Sequence, residues 1–99
     1  MKNKAIGTLI TYSGEVKEME FSKKMITLKE MQDCVGGYIE FVWLNDNKIL
    51  VVNEDGKIVG LPDNMIATTL IMEQGISDHI VGNALLIDRK YVDLSLIHI

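Results

Sequence analysis

Three short segments in the middle of the chain constrain its fold most strongly. They are VGGYIE at 35–40, NEDGK at 53–57 and GLPDN at 60–64. Paired glycines, an acidic turn ending in glycine, and a proline followed by Asp and Asn are typical of the points where regular elements begin and end. Together the segments predict a helix, a hairpin and a second helix, in that order. They indicate no chemistry.

The rest of the chain predicts a sheet. Residues 5–12 and 16–21 are β-rich runs separated by Ser13-Gly14, which predicts a hairpin whose second strand is charged and edge-like. Residues 38–44 alternate in polarity, as a half-buried strand does. Residues 49–52 are continuously apolar, which is typical of a central strand covered on both faces.

The second half of the sheet is predicted from turn residues. Asn-rich residues 45–47 predict one turn, and residues 54–56 predict the next, with Gly56 at positive φ. Residues 57–59 would then return as a strand, which makes the middle of the protein a three-stranded meander. Residues 80–87 predict a further strand with a bend or bulge.

Two helices are predicted from their caps. Thr27 and Glu30 have the spacing of a capping box, and Gly36 can end the first helix in the left-handed conformation. An Asp or Asn at 63–64 can cap a second helix from Met65 to about Gln74. The expected fold is one α+β domain over residues 1–99, with a small, mostly antiparallel sheet of five to six strands, a central meander and two short helices packed on it.

Composition restricts the partners. The chain has 14 acidic and 10 basic residues, a net charge of −4, and no basic cluster larger than a pair. Phosphate backbones require clustered Lys and Arg, so polymeric nucleic acid is not an expected partner. No segment has the apolar length of a signal peptide or a membrane span, which predicts a cytoplasmic protein without a membrane partner.

The apolar content is high for so short a chain, at 47% of residues. A 99-residue domain has limited interior, so some of these side chains are expected to face another subunit. The C-terminal segment 91–99, predicted to be a strand or an apolar tail, is the expected contact. The chain is therefore predicted to form a homo-oligomer.

The candidate ligand residues are aromatic, polar or cationic. Tyr38 and Trp43 lie five positions apart on one predicted strand, and either can stack on a nucleobase or pack in the core. Asn53 and Glu54 can hold a ligand hydroxyl or a cation, but Asn and acidic residues are also what a tight turn requires.

A candidate anion site lies at the start of the second helix. Free backbone amides near Asn64, with Thr68 one turn along, can bind a phosphate, although simple capping also accounts for Asn64. Arg89, the only arginine, suits bidentate contact with phosphate or carboxylate, but it is also a common type of solvated surface residue.

No catalytic or metal-binding group is predicted. One cysteine and two distant histidines cannot form a zinc site, and Cys34 near a helix C-terminus lacks an electropositive setting. His79 follows Asp78 but has no nucleophile placed beside it by sequence. We therefore expect a protein without catalytic residues, metal or cofactor, and not an enzyme.

Four segments carry a resemblance to a known family. VGGYIE at 35–40, VNEDGK at 52–57, GLP with Asn64 and Ala67, and IVGNA at 80–84 follow one another in this order. Over a core of about residues 25–88 the chain resembles a family of small phage, plasmid and bacterial proteins known as a domain of unknown function. The N-terminal hairpin, residues 4–21, precedes this core.

Two functions follow as expectations. The first is a small-molecule binding module without chemistry that sequesters a nucleotide-derived signal of bacterial immunity, by analogy with small phage proteins that counter host defence. If the protein is phage-encoded, it would act in the host cytoplasm. The alternative is a protein–protein interaction module that inhibits or adapts a host or phage protein through an exposed strand edge or an apolar tail.

Overall fold

A computed structural model describes residues 3–96 and contains one five-stranded antiparallel sheet. The strands are β1 Ile6–Ile10, β2 Val16–Glu20, β3 Ile39–Trp43, β4 Lys48–Asn53 and β5 Ala84–Asp88. The helices are α1 Leu28–Val35, α2 Gly56–Val59 and α3 Met65–Met72, followed by 3₁₀ turns at Arg89–Tyr91 and Leu94–Leu96. The predicted α+β fold is confirmed, with α1 and α3 packed on the sheet.

The last strand lies in the middle of the sheet. The spatial order is β2-β1-β5-β4-β3, so β5 pairs with β1 on one side and with β4 on the other. Two hairpins, β1–β2 and β3–β4, flank it and leave β2 and β3 as the edges. The unbroken apolar run in β4 is buried on both faces, as predicted.

The two faces of the sheet form two separate cores, because side chains alternate along each strand. Met31 and Val35 of α1 pack on the face that carries Ile49 and Ile87. On the opposite face, α3 contributes two buried residues to a core shared with β4 and β5. That second core contains Ile10, Leu50, Val52, Ala67, Ile71, Ile80 and Ala84.

Both predicted caps are present. The Thr27 hydroxyl accepts a hydrogen bond from the Glu30 amide, the Glu30 carboxylate accepts one from the Thr27 amide, and Gly36 ends α1 at φ 80°. Partial burial disfavours the ionised form of Glu30 and raises its pKa. Hydrogen bonds from Thr27 and Ser22 outweigh this effect, so the pKa of Glu30 is lowered overall. Asn64 caps α3 through its side chain.

The predicted return strand at 57–59 is wrong. These residues belong to α2, a single helical turn, and Gly56 does not have the positive φ expected of it. Since β4 is paired with β3 and β5, a strand returning from Asn53 has no free ladder to join. The central sheet is therefore a β3–β4 hairpin with β5 alongside, and the three-stranded meander does not form.

The C-terminal segment packs partly on its own domain. Val92 is buried in the first core, and residues 89–91 and 94–96 form 3₁₀ turns in place of the alternating strand considered for this segment. The predicted apolar end at residues 97–99 lies outside the described residues. Part of the apolar surplus assigned to a subunit contact is thus used inside the domain.

Candidate functional site

An open cleft of about 580 Å³ lies between the end of α1 and the β4–α2 turn. We call it the tyrosine cleft. It is lined by Gln32, Asp33, Gly36, Gly37, Tyr38, Asn53, Asp55 and Val59. Its volume falls in the range of small-molecule sites in proteins, about 300–1,000 Å³.

Asn53 fixes the shape of the cleft. Its Nδ2 donates to the Val35 carbonyl at 3.1 Å, and its Oδ1 accepts from the Asp55 amide at 2.8 Å. A Cβ on Gly37 would lie 2.9 Å from that Nδ2, so glycine lets the asparagine cross to α1. The side chain thus joins the C-terminus of α1 to the turn after β4, and both walls of the cleft are held in place.

Tyr38 supplies an exposed aromatic surface at the same place. The residue is 68% exposed, while its backbone carbonyl accepts from the Glu54 amide at 2.8 Å. The anchored backbone limits where the ring can move, although nothing in the described core covers it. An exposed aromatic ring beside fixed polar groups is suited to stacking on a planar ligand.

The electrostatics of the cleft disfavour a bare anion. Two acidic residues, Asp33 and Asp55, are among its lining residues, and the Asp33 carboxylate also accepts from Lys29 Nζ at 3.2 Å. The C-terminal end of α1 is adjacent, and the helix dipole gives this end a partial negative charge. Such a site favours donors, namely sugar hydroxyls, amino and imino groups of a base, or a cation.

Trp43 and Arg89 lie together but away from the cleft. The Arg89 guanidinium is 6.0 Å from the centre of the Trp43 ring, and that ring meets Phe41 edge-on at 5.7 Å. Trp43 is at the opposite end of β3 from Tyr38, about 17 Å away at 3.4 Å per residue. Within one chain, Trp43 and Arg89 are therefore separate from Tyr38 and Asn53 of the tyrosine cleft.

Asn64 and Thr68 are occupied by the fold. Asn64 has no exposed surface, its Nδ2 donates to the carbonyls of Ile10 and Gly82, and its Oδ1 accepts from the Ala67 amide. The Thr68 hydroxyl accepts from the Ile80 amide at 2.8 Å. The Asn64 amide also donates to the Ile80 carbonyl at 2.8 Å, so its backbone N–H and its side chain are both engaged within the domain. Phosphate binding at the start of α3 stays a prediction.

Glu54 faces a different, smaller cavity of about 120 Å³. Lys57 and Asp78 meet there at 2.6 Å, and the His79 amide also donates to Asp78. The hydrogen bond from Lys57 is the main cause of a lowered Asp78 pKa, with the His79 amide adding to it. These groups form an ion pair, and Glu54 lies outside the lining of the tyrosine cleft.

A second depression of about 580 Å³ lies on the other side of α1, where β2 approaches it. Cys34 and Glu30 border it. Burial raises the pKa of the Cys34 thiol, and the neighbouring Asp33 and Glu30 carboxylates raise it further. The thiol is therefore a poor nucleophile, and the Glu30 carboxylate is engaged in the helix cap.

Sequence reasoning missed Gln32 and Asp33 as lining residues. Both lie in the last turn of α1, just before Gly36, so their place at the helix end was predictable. That β4 ends beside them depends on the sheet register, which local patterns do not specify.

In residues 3–96 no group of three or more His, Cys, Asp or Glu is arranged to hold a metal ion. The same residues contain no helix with the length and apolar character to span a bilayer.

The four sequence segments named above meet in space. Asn53 and Glu54 bond to the first segment, at Val35 and Tyr38, while Asn64 bonds to Gly82 in the last. The second and fourth segments also touch, since a Cβ on Gly56 would lie 2.8 Å from a methyl of Val81. The segments therefore form one continuous substructure with the tyrosine cleft on one side.

Comparison with curated proteins and with solved structures finds no match to the chain. The sequence model of one family, described as Domain of unknown function (DUF3846), matches residues 8–96. The matched stretch includes every element from α1 onward and all the residues that line the tyrosine cleft. This description assigns no activity. On this match the chain belongs to the DUF3846 family.

Proposed function

We propose that this protein is a binding module that holds a nucleotide-derived small molecule in the tyrosine cleft and leaves it chemically unchanged. The observation that carries the proposal is the cleft itself, where an exposed Tyr38 ring stands beside polar groups fixed by Asn53. A preformed cleft with one aromatic surface and a few placed polar groups is the usual form of a small-molecule site.

The chemistry of the lining favours the nucleoside part of such a ligand. A base would stack on Tyr38, and stacking contributes about 1–3 kcal/mol per base. The carboxylates of Asp33 and Asp55 accept hydrogen bonds from ribose hydroxyls or from amino groups of the base. Phosphate groups would point out of the cleft, away from these carboxylates.

The biological role that we propose for this binding is sequestration. A module that captures a nucleotide-derived immune signal of the bacterial host, and releases it intact when unfolded, would lower the free concentration of that signal. A phage- or plasmid-encoded protein of this kind would counter host defence. Mass action sets the requirement that the dissociation constant lie below the concentration of the signal.

Calorimetric titration with adenosine, AMP, cyclic di-AMP and cyclic ADP-ribose tests the binding. Tyr38→Ala should weaken a bound probe about tenfold to hundredfold, while Tyr38→Phe retains the stacking surface and most of the affinity. Tyr12→Ala is the matched control, because Tyr12 is 50% exposed and lies in the β1–β2 turn. After heating, mass spectrometry of the released probe should recover its original mass.

Equal affinity of wild type and Tyr38→Ala for every bound probe would remove the tyrosine cleft from the function. A changed mass of the released probe would make the protein an enzyme. Both results contradict the proposal directly.

A protein-interaction module remains the second candidate, favoured by α2. Ile58 and Val59 are adjacent on this single turn and are 86% and 63% exposed. Ile58→Asp would abolish capture of a protein partner while leaving probe titrations of the tyrosine cleft unchanged. The same variant therefore separates the two functions.

A further inference from the structure

The free edge of β3 can be defined from the bonds at its two ends. The Leu44 amide donates to the Lys48 carbonyl at 2.9 Å, and the Glu54 amide donates to the Tyr38 carbonyl at 2.8 Å. Hydrogen-bonded and non-hydrogen-bonded pairs alternate along an antiparallel ladder, so the even-numbered residues of β3 bond to β4. The N–H and C=O groups that face away from the sheet belong to Ile39, Phe41 and Trp43.

This edge is open and has little protection. Within residues 3–96, these outward backbone groups make no hydrogen bond to any other segment. The strand has one charged residue, Glu40, and no proline, and Trp43 at its end is 52% exposed. An apolar edge strand with a single charged residue and no proline is a template for pairing with another strand.

We infer that two copies of this chain pair along this edge, with their β3 strands antiparallel and Phe41 opposite Phe41 on the two-fold axis. Ile39 then lies opposite the partner's Trp43, and the outward groups of three residues on each strand pair with one another. Up to six backbone hydrogen bonds form, and the two sheets become one continuous ten-stranded sheet.

Charge selects this register. With Phe41 on the axis, Glu40 lies opposite the partner's Val42, and all five residues of β3 take part. A shift of the axis to Glu40 would place the two Glu40 carboxylates directly opposite each other, which destabilises a strand pair. A shift to Val42 would carry Asn45 of the β3–β4 turn into the ladder.

The ends of the paired strands are complementary. Trp43, Phe41 and Ile39 project on the face that α1 covers, so the partner's Trp43 would come beside Ile39 near the end of α1. The partner's Arg89 would come with it, since the guanidinium lies over that ring. Asp33 and the carbonyl end of α1 provide negative charge there.

The pairing also brings the cleft residues Tyr38 and Asn53 towards the partner's Trp43 and Arg89, a step that rests on the proposed function. In one chain, Tyr38 and Arg89 are at opposite ends of β3. Across the two-fold axis, the partner's Arg89 approaches the end of β3 that carries Tyr38 and Asn53. A base in the tyrosine cleft would then have its outward phosphate near a cation from the other subunit.

Light scattering and sedimentation of the ligand-free protein test the pairing. Wild type should be a dimer, and Trp43→Lys should raise its dissociation constant about tenfold or more, as loss of an interfacial tryptophan does. Val16→Lys is the matched control, because Val16 is 55% exposed and its backbone faces outward on the other edge. A monomeric wild type, or equal effects of the two variants, overturns the inference.

Cross-linking tests the register. In a Cys34→Ser background, Glu40→Cys and Val42→Cys should form a disulfide dimer only when the two proteins are mixed. Opposed residues of a non-hydrogen-bonded pair have Cα atoms about 4.5 Å apart, within disulfide range. Dimers formed by Glu40→Cys alone would place the axis at Glu40, and an absence of cross-links in a dimeric mixture would place the contact elsewhere.

Complementation tests the shared site, with cyclic ADP-ribose and cyclic di-AMP as probes. Tyr38→Ala and Arg89→Ala should each weaken binding, and mixing them should restore about a quarter of the wild-type number of sites, because one site of each mixed dimer is intact. No restoration in a mixture whose subunits exchange, as the cross-links would show, means that Arg89 does not reach the partner's tyrosine cleft. If wild type binds neither probe, the shared site falls with the proposed function, while mass and cross-linking still decide the pairing.

Discussion

Asn64 and Asn53 both use a side-chain amide to join distant segments, but one lies in the core and the other lines a cleft. Asn64 is fully buried and bonds to Ile10, Gly82 and Ala67. We call this group the Asn64 junction. Its amide uses both donors and its acceptor inside the protein, and no polar atom remains for a ligand.

The Asn53 junction, formed by Asn53 with Val35 and Asp55, is half-buried and has the same cross-linking chemistry. It differs in facing the tyrosine cleft, where Tyr38 is exposed beside it. An asparagine in a turn or cap therefore does not by itself indicate a ligand site. Burial of its surroundings decides whether it stabilises the fold alone or also presents a surface.

The largest expected effect is at the Asn64 junction. Asn64→Ala removes the α3 cap and leaves two buried carbonyls without a donor, so the free energy of unfolding should fall by about 3 kcal/mol or more. Asn64→Asp separates the two causes, because it keeps the cap acceptor and loses both donors. Chemical denaturation should find both variants strongly destabilised, and an Asn64→Asp protein as stable as wild type would mean that capping alone matters.

Gly56 tests the contact between the two junctions. A Cβ at this position would lie 2.8 Å from a methyl of Val81 and 3.6 Å from Cβ of Asn53. Gly56→Val should therefore destabilise the protein by about 1–3 kcal/mol through overpacking. Backbone strain does not contribute, because Gly56 does not have a positive φ. Gly14→Val is a contrast in which strain alone acts, because Gly14 has φ 98° and open space around it. Partial recovery of Gly56→Val by Val81→Ala in thermal melts would identify the clash as the cause.

Local patterns predicted the parts of this fold that are decided locally. The Thr27–Glu30 capping box, the left-handed Gly36 and the Asn64 cap each depend on residues within one helical turn, and all three are present. The α+β fold and the buried β4 strand followed from the polarity of each segment. These features depend little on the rest of the chain.

The errors arose where a distant segment decided the outcome. Residues 57–59 carry turn signals that suit a hairpin as well as a helical turn, and the insertion of β5 beside β4 removes the hairpin. Asn64 donates to Ile10, a residue 54 positions away, which no local pattern indicates. For the same reason the sequence predicted Tyr38 and Asn53 but not Asp33, whose place in the cleft depends on how α1 packs on the sheet.

At the Asn53 junction the expected effect on stability is smaller than at Asn64, and the effect on binding is larger. Asn53→Ala should lower the free energy of unfolding by about 1–2 kcal/mol, because the half-buried site lets water replace the lost bonds. The same variant should weaken probe binding, since the walls of the cleft are no longer joined. Gly37→Ala should act in the same direction by displacing Nδ2. The free energy of unfolding and the probe affinity would be measured on the same variants. If Asn53→Ala lost as much stability as Asn64→Ala and kept its affinity for the probe, the Asn53 junction would be purely structural, like the Asn64 junction.

The smallest effect is expected from the Lys57–Asp78 ion pair, which links α2 to the segment before β5 at the solvent surface. The hydrogen bond from Lys57, followed by that from the His79 amide, lowers the pKa of Asp78 in the folded state. A carboxylate with a lowered folded pKa stabilises the protein above its unfolded pKa, about 3.9, and this contribution is lost as pH falls through the folded value.

Both side chains are about half exposed, so Lys57→Met should cost only about 0.5 kcal/mol near neutral pH. Lys29→Met is the matched control, because its ion pair with Asp33 is more exposed and lies within one helix. Denaturation across a pH series should find the Lys57→Met deficit shrinking towards zero in acid. A deficit that stays constant with pH would assign the effect to packing of the lysine chain, and the Lys57–Asp78 pair would then contribute no electrostatic stabilisation.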